Sequence, residues 1–327
     1  MINVLIVSDC ATTAFLDYIR ALHPGCRVRC IVTARLNDWH EIRGDAFISA
    51  VAATDILICL PNTLTRLKGY LPEASATVDA LVEKGVSTHN PDILLQLDGI
   101  TSHQGMQVIE IPRFRYLGPR VDCFWMPKLT SPLGRGALHS KIAVSAWMLK
   151  KNASDTLKLF NAQHFENTGY FEQYEQERVK LFDTYADSGI DISGVHADWM
   201  RQGDFQYSPN HPKAEVLVDI MHIAANASGH FPVISEGEYA NYRQNVPDYM
   251  ADGLIWPVYP ELADYWGLSS YQQRWRTGKR DGGEYFELED MIKRTFASLD
   301  SFQDSEEKVR KYLGAEDVWH WFGEEAC

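Results

Sequence analysis

A chain of 327 residues with 45% hydrophobic character can bury a full core, and its 23% charged fraction is that of a globular protein, not of a disordered one. The formal net charge of −13 argues against non-specific nucleic-acid binding, which draws its affinity from Lys and Arg neutralising phosphates. Any anionic ligand must be held by a local basic cluster working against the field of the whole molecule.

The first element is the apolar run at residues 2–7, which turns polar at Ser8-Asp9. It has no basic leader and is too short for a signal peptide, so it reads as a buried strand. No apolar stretch reaches the length of a transmembrane helix. A cytoplasmic protein without an integral membrane segment is expected. The six cysteines (Cys10, Cys26, Cys30, Cys59, Cys123 and Cys327) show neither CxxC nor a framework spacing. They read as free thiols in a reducing compartment.

A helical pattern follows the first strand, with Ala14, Phe15, Tyr18, Ile19 and Leu22 on one face and Gly25 at its end. Val28, Cys30, Ile31 and Val32 suggest a second strand. Residues 55–60 suggest a third, stopped by Pro61. A helix is expected near 74–84 and a fourth strand at 107–111. Apolar strands alternating with helices predict an α/β fold with an open parallel sheet flanked by helices. From about residue 137 the pattern turns helical, at 138–151, 153–160, 168–187 and 212–227. Beyond about residue 245, Trp256, Tyr259, Tyr265, Trp266, Tyr271 and Trp275 crowd together. The expected division is a catalytic α/β domain at 1–240 and an aromatic-rich, mostly helical subdomain or cap at 241–327.

Ser8-Asp9-Cys10 joins a buried strand to a helix. In an open parallel sheet, ligands bind outside the carboxyl ends of the strands. Amides at the helix end there would favour a thiolate. The alternative is a small buried hydrophobe, the plain reading for Cys26, Cys30 and Cys59. The second feature is the 207–213 segment, Tyr-Ser-Pro-Asn-His-Pro-Lys. Pro212 suits the first turn of a helix, placing His211 at or before the N-cap, where the dipole biases the ring toward neutral. A thiol on one loop and a neutral imidazole on another can act as nucleophile and base. Asn62, after the third strand, could donate to an oxyanion. The eleven histidines show no metal-ligand spacing, and no metal is expected. Among basic residues, Arg135 lies between two glycines ahead of a helix containing Lys141. Arg113 and Arg115 flank the end of the fourth strand. Arg274, Arg276, Lys279 and Arg280 form the densest basic run, with Trp275 interleaved.

An early strand–Ser8-Asp9-Cys10–helix and a late His211-Pro212 resemble the layout of the SGNH/GDSL hydrolases, with cysteine in place of serine and Ser208 in place of the aspartate three residues before the histidine. The chain is more similar to the WcbI-type polysaccharide biosynthesis enzymes. Those end a first strand in a short polar turn with cysteine and open a late helix with Pro-Asn-His-Pro, here Pro209-Asn210-His211-Pro212 followed by Lys213. The resemblance spans roughly residues 1–230 and implies an SGNH/Rossmann-like sheet, coenzyme A binding and O-acetylation of a capsular sugar. It implies acetyl-CoA as acyl donor and a sugar or lipid-linked glycan as acceptor. Cys10, His211 and Asn62 are then the catalytic candidates. Ser8, Asp9, Arg135, Lys141, Asn210, Lys213, Arg274 and Arg276 are the candidates for holding the coenzyme. Asp204 and Glu215 are candidates for a third catalytic partner, and self-association is left open. A thiol-dependent esterase or deacetylase and a non-catalytic coenzyme- or glycan-binding protein are the alternatives.

Overall fold

The structure, a computed structural model, describes residues 1–32, 53–61, 63, 106–127, 129–134, 136–302 and 306–313. Asn62, Arg135, Cys327 and the helix expected at 74–84 lie outside the described residues. In chain order the principal elements are β1 (Ile2–Ser8), α1 (Thr12–Leu22), β2 (Cys26–Val32), β3 (Ile56–Cys59), β4 (Gln107–Glu110), β5 (Cys123–Trp125), β6 (Leu138–Ser140), α2 (Lys141–Met148), α3 (Tyr170–Ala186), β7 (Gln206–Ser208), β8 (His211–Pro212), α4 (Ala214–Ser228), α5 (Glu236–Asn245) and α6 (Pro260–Trp266). Two compact units are interleaved along the chain. The first takes Met1–Arg113, Thr184–Ile192 and Ala214–Pro247, and the second takes Phe114–Asp183, Ser193–Lys213 and Asp248–Cys327.

The first unit is built on a parallel sheet in the order β2-β1-β3-β4. The fully apolar runs of β1 and β3 make the buried centre, and this is the α/β fold the sequence predicts. The edge strand β2 alternates, leaving Arg27 and Arg29 exposed. Helix α1 buries Ala14, Phe15, Tyr18 and Ile19, the face its spacing predicts, and packs against β2 and α4. Because β2 lies on one side of β1 and β3 on the other, the strand order reverses between β1 and β3. Such switch points open a crevice at the carboxyl ends of the strands.

The second unit is held by an aromatic core. Trp256 and Trp275, from the late aromatic stretch, pack in one cluster with Val121, Cys123, Phe165 and Tyr170. The C-terminal aromatics therefore share a core with residues 114–183. At its centre Asp122 accepts hydrogen bonds from the Tyr170 and Tyr259 hydroxyls (2.8 and 2.7 Å) and from the Ile142 amide (3.0 Å). Expected helix boundaries shift here for a visible reason. Residues 138–140, predicted as helix, pair antiparallel with β5 instead, and α2 starts only at Lys141, where Ser140 caps it by accepting from the Ala143 amide at 3.0 Å. Cys59 and Cys123 are buried and Cys26 and Cys30 half-buried, all as free thiols.

Candidate functional site

In the first unit, Ser8 ends β1 buried, and Cys10 follows in the turn before α1, exposed. The turn is organised by Asp9. Its carbonyl accepts from the Thr12 hydroxyl (2.7 Å) and amide (3.2 Å), and its carboxylate pairs with Arg113 just beyond β4. The cysteine thus sits at the carboxyl end of a central strand, beside the switch point.

Its electrostatics differ from the sequence-based expectation. The thiol is pushed above its ordinary pKa, first by protein packed around it and then by the Asp9 carboxylate, and the backbone and Arg113 pull it down less. The expected helix-end stabilisation of a thiolate does not prevail, because burial and the neighbouring Asp9 carboxylate outweigh it. Asp9→Asn is therefore expected to lower the Cys10 pKa and speed its alkylation by iodoacetamide near neutral pH. Arg113→Ala is expected to raise the pKa and slow alkylation. The pH–rate profile of alkylation reads both shifts, and an unchanged midpoint in both variants would remove the Asp9–Arg113 pair from the argument.

In the second unit, the Pro-Asn-His-Pro segment forms a tight antiparallel turn rather than a helix start. Gln206 pairs with Pro212 and Ser208 with His211. The Lys213 amide donates to the Phe205 carbonyl at 2.9 Å, and the Tyr116 amide donates to the Pro209 carbonyl at 2.8 Å. These bonds hold the turn at 209–210 and keep residues 211–213 out of the helix, so α4 begins at Ala214, beyond the proline, and the dipole argument for His211 lapses. A side-chain network replaces it. The Ser208 hydroxyl lies 2.8 Å from His211 Nδ1 and 3.2 Å from Asn210 Oδ1. A hydroxyl has one proton, and the amide oxygen can only accept. Both contacts are satisfied when Nδ1–H donates to Ser208 and Ser208 donates to Asn210. This tautomer, assigned from the hydrogen-bond network, leaves Nε2 with the lone pair a general base needs.

His211 lines an open pocket of 620 Å³ with Tyr249, Asp252, Lys279, Arg280 and Asp281. Part of the basic run singled out in the sequence thus stands beside the histidine. Lys279 pairs with Asp252 at 2.8 Å with both side chains largely in solvent, a contact that water screens. The other two arginines of the run have partners of their own. Arg276 donates to the carbonyls of Ala251 and Gly253, and Arg274 pairs with Glu287 at 2.6 Å. Lys141 lies elsewhere in the unit, 3.3 Å from Gln173 Oε1 and with its pKa lowered by burial. Of the candidates for a third partner, Asp204 has both oxygens taken by the Arg120 guanidinium, at 3.0 and 2.6 Å. Glu215 lies in the first turn of α4, in the first unit. Sequence reasoning missed Ser208 as the group that orients His211. The signal was its place three residues before the histidine, where the hydrolases carry aspartate.

The fold and these two loops define an α/β protein with a cysteine at the carboxyl end of its central strand and a hydrogen-bonded histidine in a pocket lined by two basic and two acidic side chains. Residues 100–232 match the family model described as Polysaccharide biosynthesis enzyme WcbI. That segment contains the His211 motif. A solved WcbI structure, described as a novel polysaccharide biosynthesis enzyme in its native form without a disulfide bond between coenzyme A and a cysteine, aligns over 97% of this chain and 96% of its own, with a TM-score of 0.65 and 12% identity. No curated protein matches at significance. The chain is thus similar to the WcbI-type polysaccharide biosynthesis enzymes, in sequence across 100–232 and in fold across nearly its whole length. Among the described residues no helix is long and apolar enough to cross a membrane.

Proposed function

We propose that this chain is an acetyl-CoA-dependent O-acetyltransferase acting on a sugar of a bacterial capsular or surface polysaccharide. The observation that carries this reading is His211, which lies inside the WcbI-matched segment with Nδ1 tied to Ser208, in a pocket whose walls include Lys279 and Arg280. An imidazole held in one tautomer suits deprotonation of an acceptor hydroxyl. Adjacent cations suit the phosphates of the donor, which an acidic chain must otherwise repel. The coenzyme A and cysteine named for the WcbI structure support giving the thioester to a cysteine, and Cys10 has the exposure and the strand-end position for it.

In the proposed chemistry, Cys10 loses its proton and its sulfur adds to the thioester carbonyl. The carbon–sulfur bond to the coenzyme breaks, leaving acetyl-Cys10, and the coenzyme thiolate takes a proton. Backbone N–H groups of the loop after β1 hold the oxyanion, with Asn62 kept as the side-chain donor. His211 Nε2 then takes the proton of a sugar hydroxyl as its oxygen attacks acetyl-Cys10, and the thiol is regenerated. Because Cys10 is held above its ordinary pKa, the first step needs a base, and the reading assigns that role to His211 as well.

The thermal midpoint of the purified protein with and without coenzyme A tests the reading. A ligand at about a hundred times its dissociation constant stabilises by ~2.7 kcal/mol, which raises the midpoint of a chain this size by several degrees. No shift up to millimolar coenzyme A would set the transferase aside in favour of a thiol-dependent esterase, whose mark is steady hydrolysis of small acetyl esters without acceptor.

A further inference from the structure

Helix α3 carries a surface that neither reactive loop uses. Phe171 and Tyr265 stack with ring centroids 4.2 Å apart, and Tyr174 and Trp266 stack at 4.7 Å. With Glu172 and Glu175 these four rings line a pocket of 480 Å³, within the size range of small-molecule sites. Tyr174 is buried, so core packing accounts for it, but Tyr265 is 62% exposed. Stacked on Phe171, the Tyr265 ring still leaves apolar surface on the pocket wall that a ligand can cover. Glu172 is also a wall of a second pocket, of 680 Å³, lined by Asn167, Gln173, Gln176, Lys141 and Lys180. One helix therefore presents an aromatic pocket and a polar one that share a side chain.

A pyranose ring has the matching chemistry. Its C–H faces are apolar and gain by leaving water for an aromatic surface. Its hydroxyls donate to carboxylates and amide oxygens and accept from amide and ammonium N–H groups. Glu175 is paired with Arg178 at 2.5 Å and Glu177 with Lys180 at 2.6 Å, and Glu166 and Glu172 line the polar pocket with Lys141, a lining of mixed sign that offers both acceptors and donors to a polyhydroxyl ligand.

We propose that α3 and α6 form a glycan-binding site with two adjoining subsites. One sugar ring lies against Tyr265 and Phe171, and the next is held by Glu172 and the amides of Gln173 and Gln176. This rests on the transferase reading only in taking the bound glycan to be the acceptor.

The test is a printed array of bacterial capsular and lipopolysaccharide glycans probed with the full-length protein, with the best-bound glycan then titrated against variants. Wild type is expected to bind, and Tyr265→Ala to weaken binding about tenfold, the loss expected of one stacked ring. Tyr265→Phe keeps the ring and is expected to restore affinity, and Glu172→Gln is expected to weaken it. An array with no bound glycan, or Tyr265→Ala binding like wild type, overturns the proposal. The coenzyme A thermal shift measured on the same preparations separates the two readings. Glycan binding lost in Tyr265→Ala, with no coenzyme shift in any variant, keeps this site and removes the transferase. A coenzyme shift without glycan binding does the reverse.

Discussion

Exchanging His211 for alanine is expected to lower acetyl transfer by about 10²–10⁴-fold, the usual contribution of a positioned general base, while the coenzyme A thermal shift persists. The loss belongs in kcat, because the imidazole acts on a proton that moves only in the transition state. Ser208→Ala should fall in the same direction but less far, since it frees the tautomer without removing the base. Its pH–rate profile should change shape, which a purely structural defect would not produce. Cys10 and His211 belong to different compact units, so their coupling is a kinetic prediction. Groups acting in one mechanism are strongly non-additive, and Cys10→Ala combined with His211→Ala should cost about as much as the worse single change. Full additivity of the two losses would sink the shared mechanism. An unchanged rate in His211→Ala would sink the assigned base.

Asp204→Ala is expected to be the most damaging substitution for stability in the second unit. Arg120 and Asp204 leave 0% and 3% of their side chains exposed. Besides its two bonds to Asp204, the guanidinium donates to the Gln206 carbonyl at 2.7 Å and to the Trp256 carbonyl. Removing the carboxylate leaves a buried cation without its counter-charge, which costs about 3–5 kcal/mol in comparable pairs. At about 2–4 °C per kcal/mol for a chain of this size, the thermal midpoint should drop by on the order of 10 °C. The pair also bears on function. It ties residues 120, 204 and 206 together at the start of β7, the strand that carries Ser208, so Asp204→Ala should lose activity along with stability. Arg120→Met with Asp204→Leu removes both charges and should regain much of the stability. If the double replacement is as unstable as the single, the cost comes from lost packing and the buried-charge account fails.

The parallel sheet was legible because a strand buried on both faces must be apolar throughout, and residues 4–7 and 56–60 are. Cys10 was legible as a strand-end residue for the same reason. Its ionisation was not, because that depends first on how the folded chain packs around the thiol, then on the Asp9 carboxylate, and least on Arg113, more than a hundred positions away in sequence. The His211 motif was legible as a motif and misread as a helix start. Pro212 satisfies the local rule for a first turn, but the bonds from Lys213 to Phe205 and from Tyr116 to Pro209 outweigh that preference. Helix boundaries at 138–140 moved for a like cause, a strand partner that local periodicity does not register.

The α/β class, the two candidate loops and the family resemblance could be read from the sequence. These follow from short-range patterns of apolarity, turn residues and motif spacing, each of which constrains the backbone locally. Which charges face which groups is set by the tertiary fold. It pairs Arg274 with Glu287 and Asp204 with Arg120, ties Arg276 to the carbonyls of Ala251 and Gly253, and puts Lys279 and Arg280 on the wall of the histidine pocket. A side chain's partner is set by where distant segments meet, and electrostatic effects act over a few ångströms of space whatever the separation along the chain.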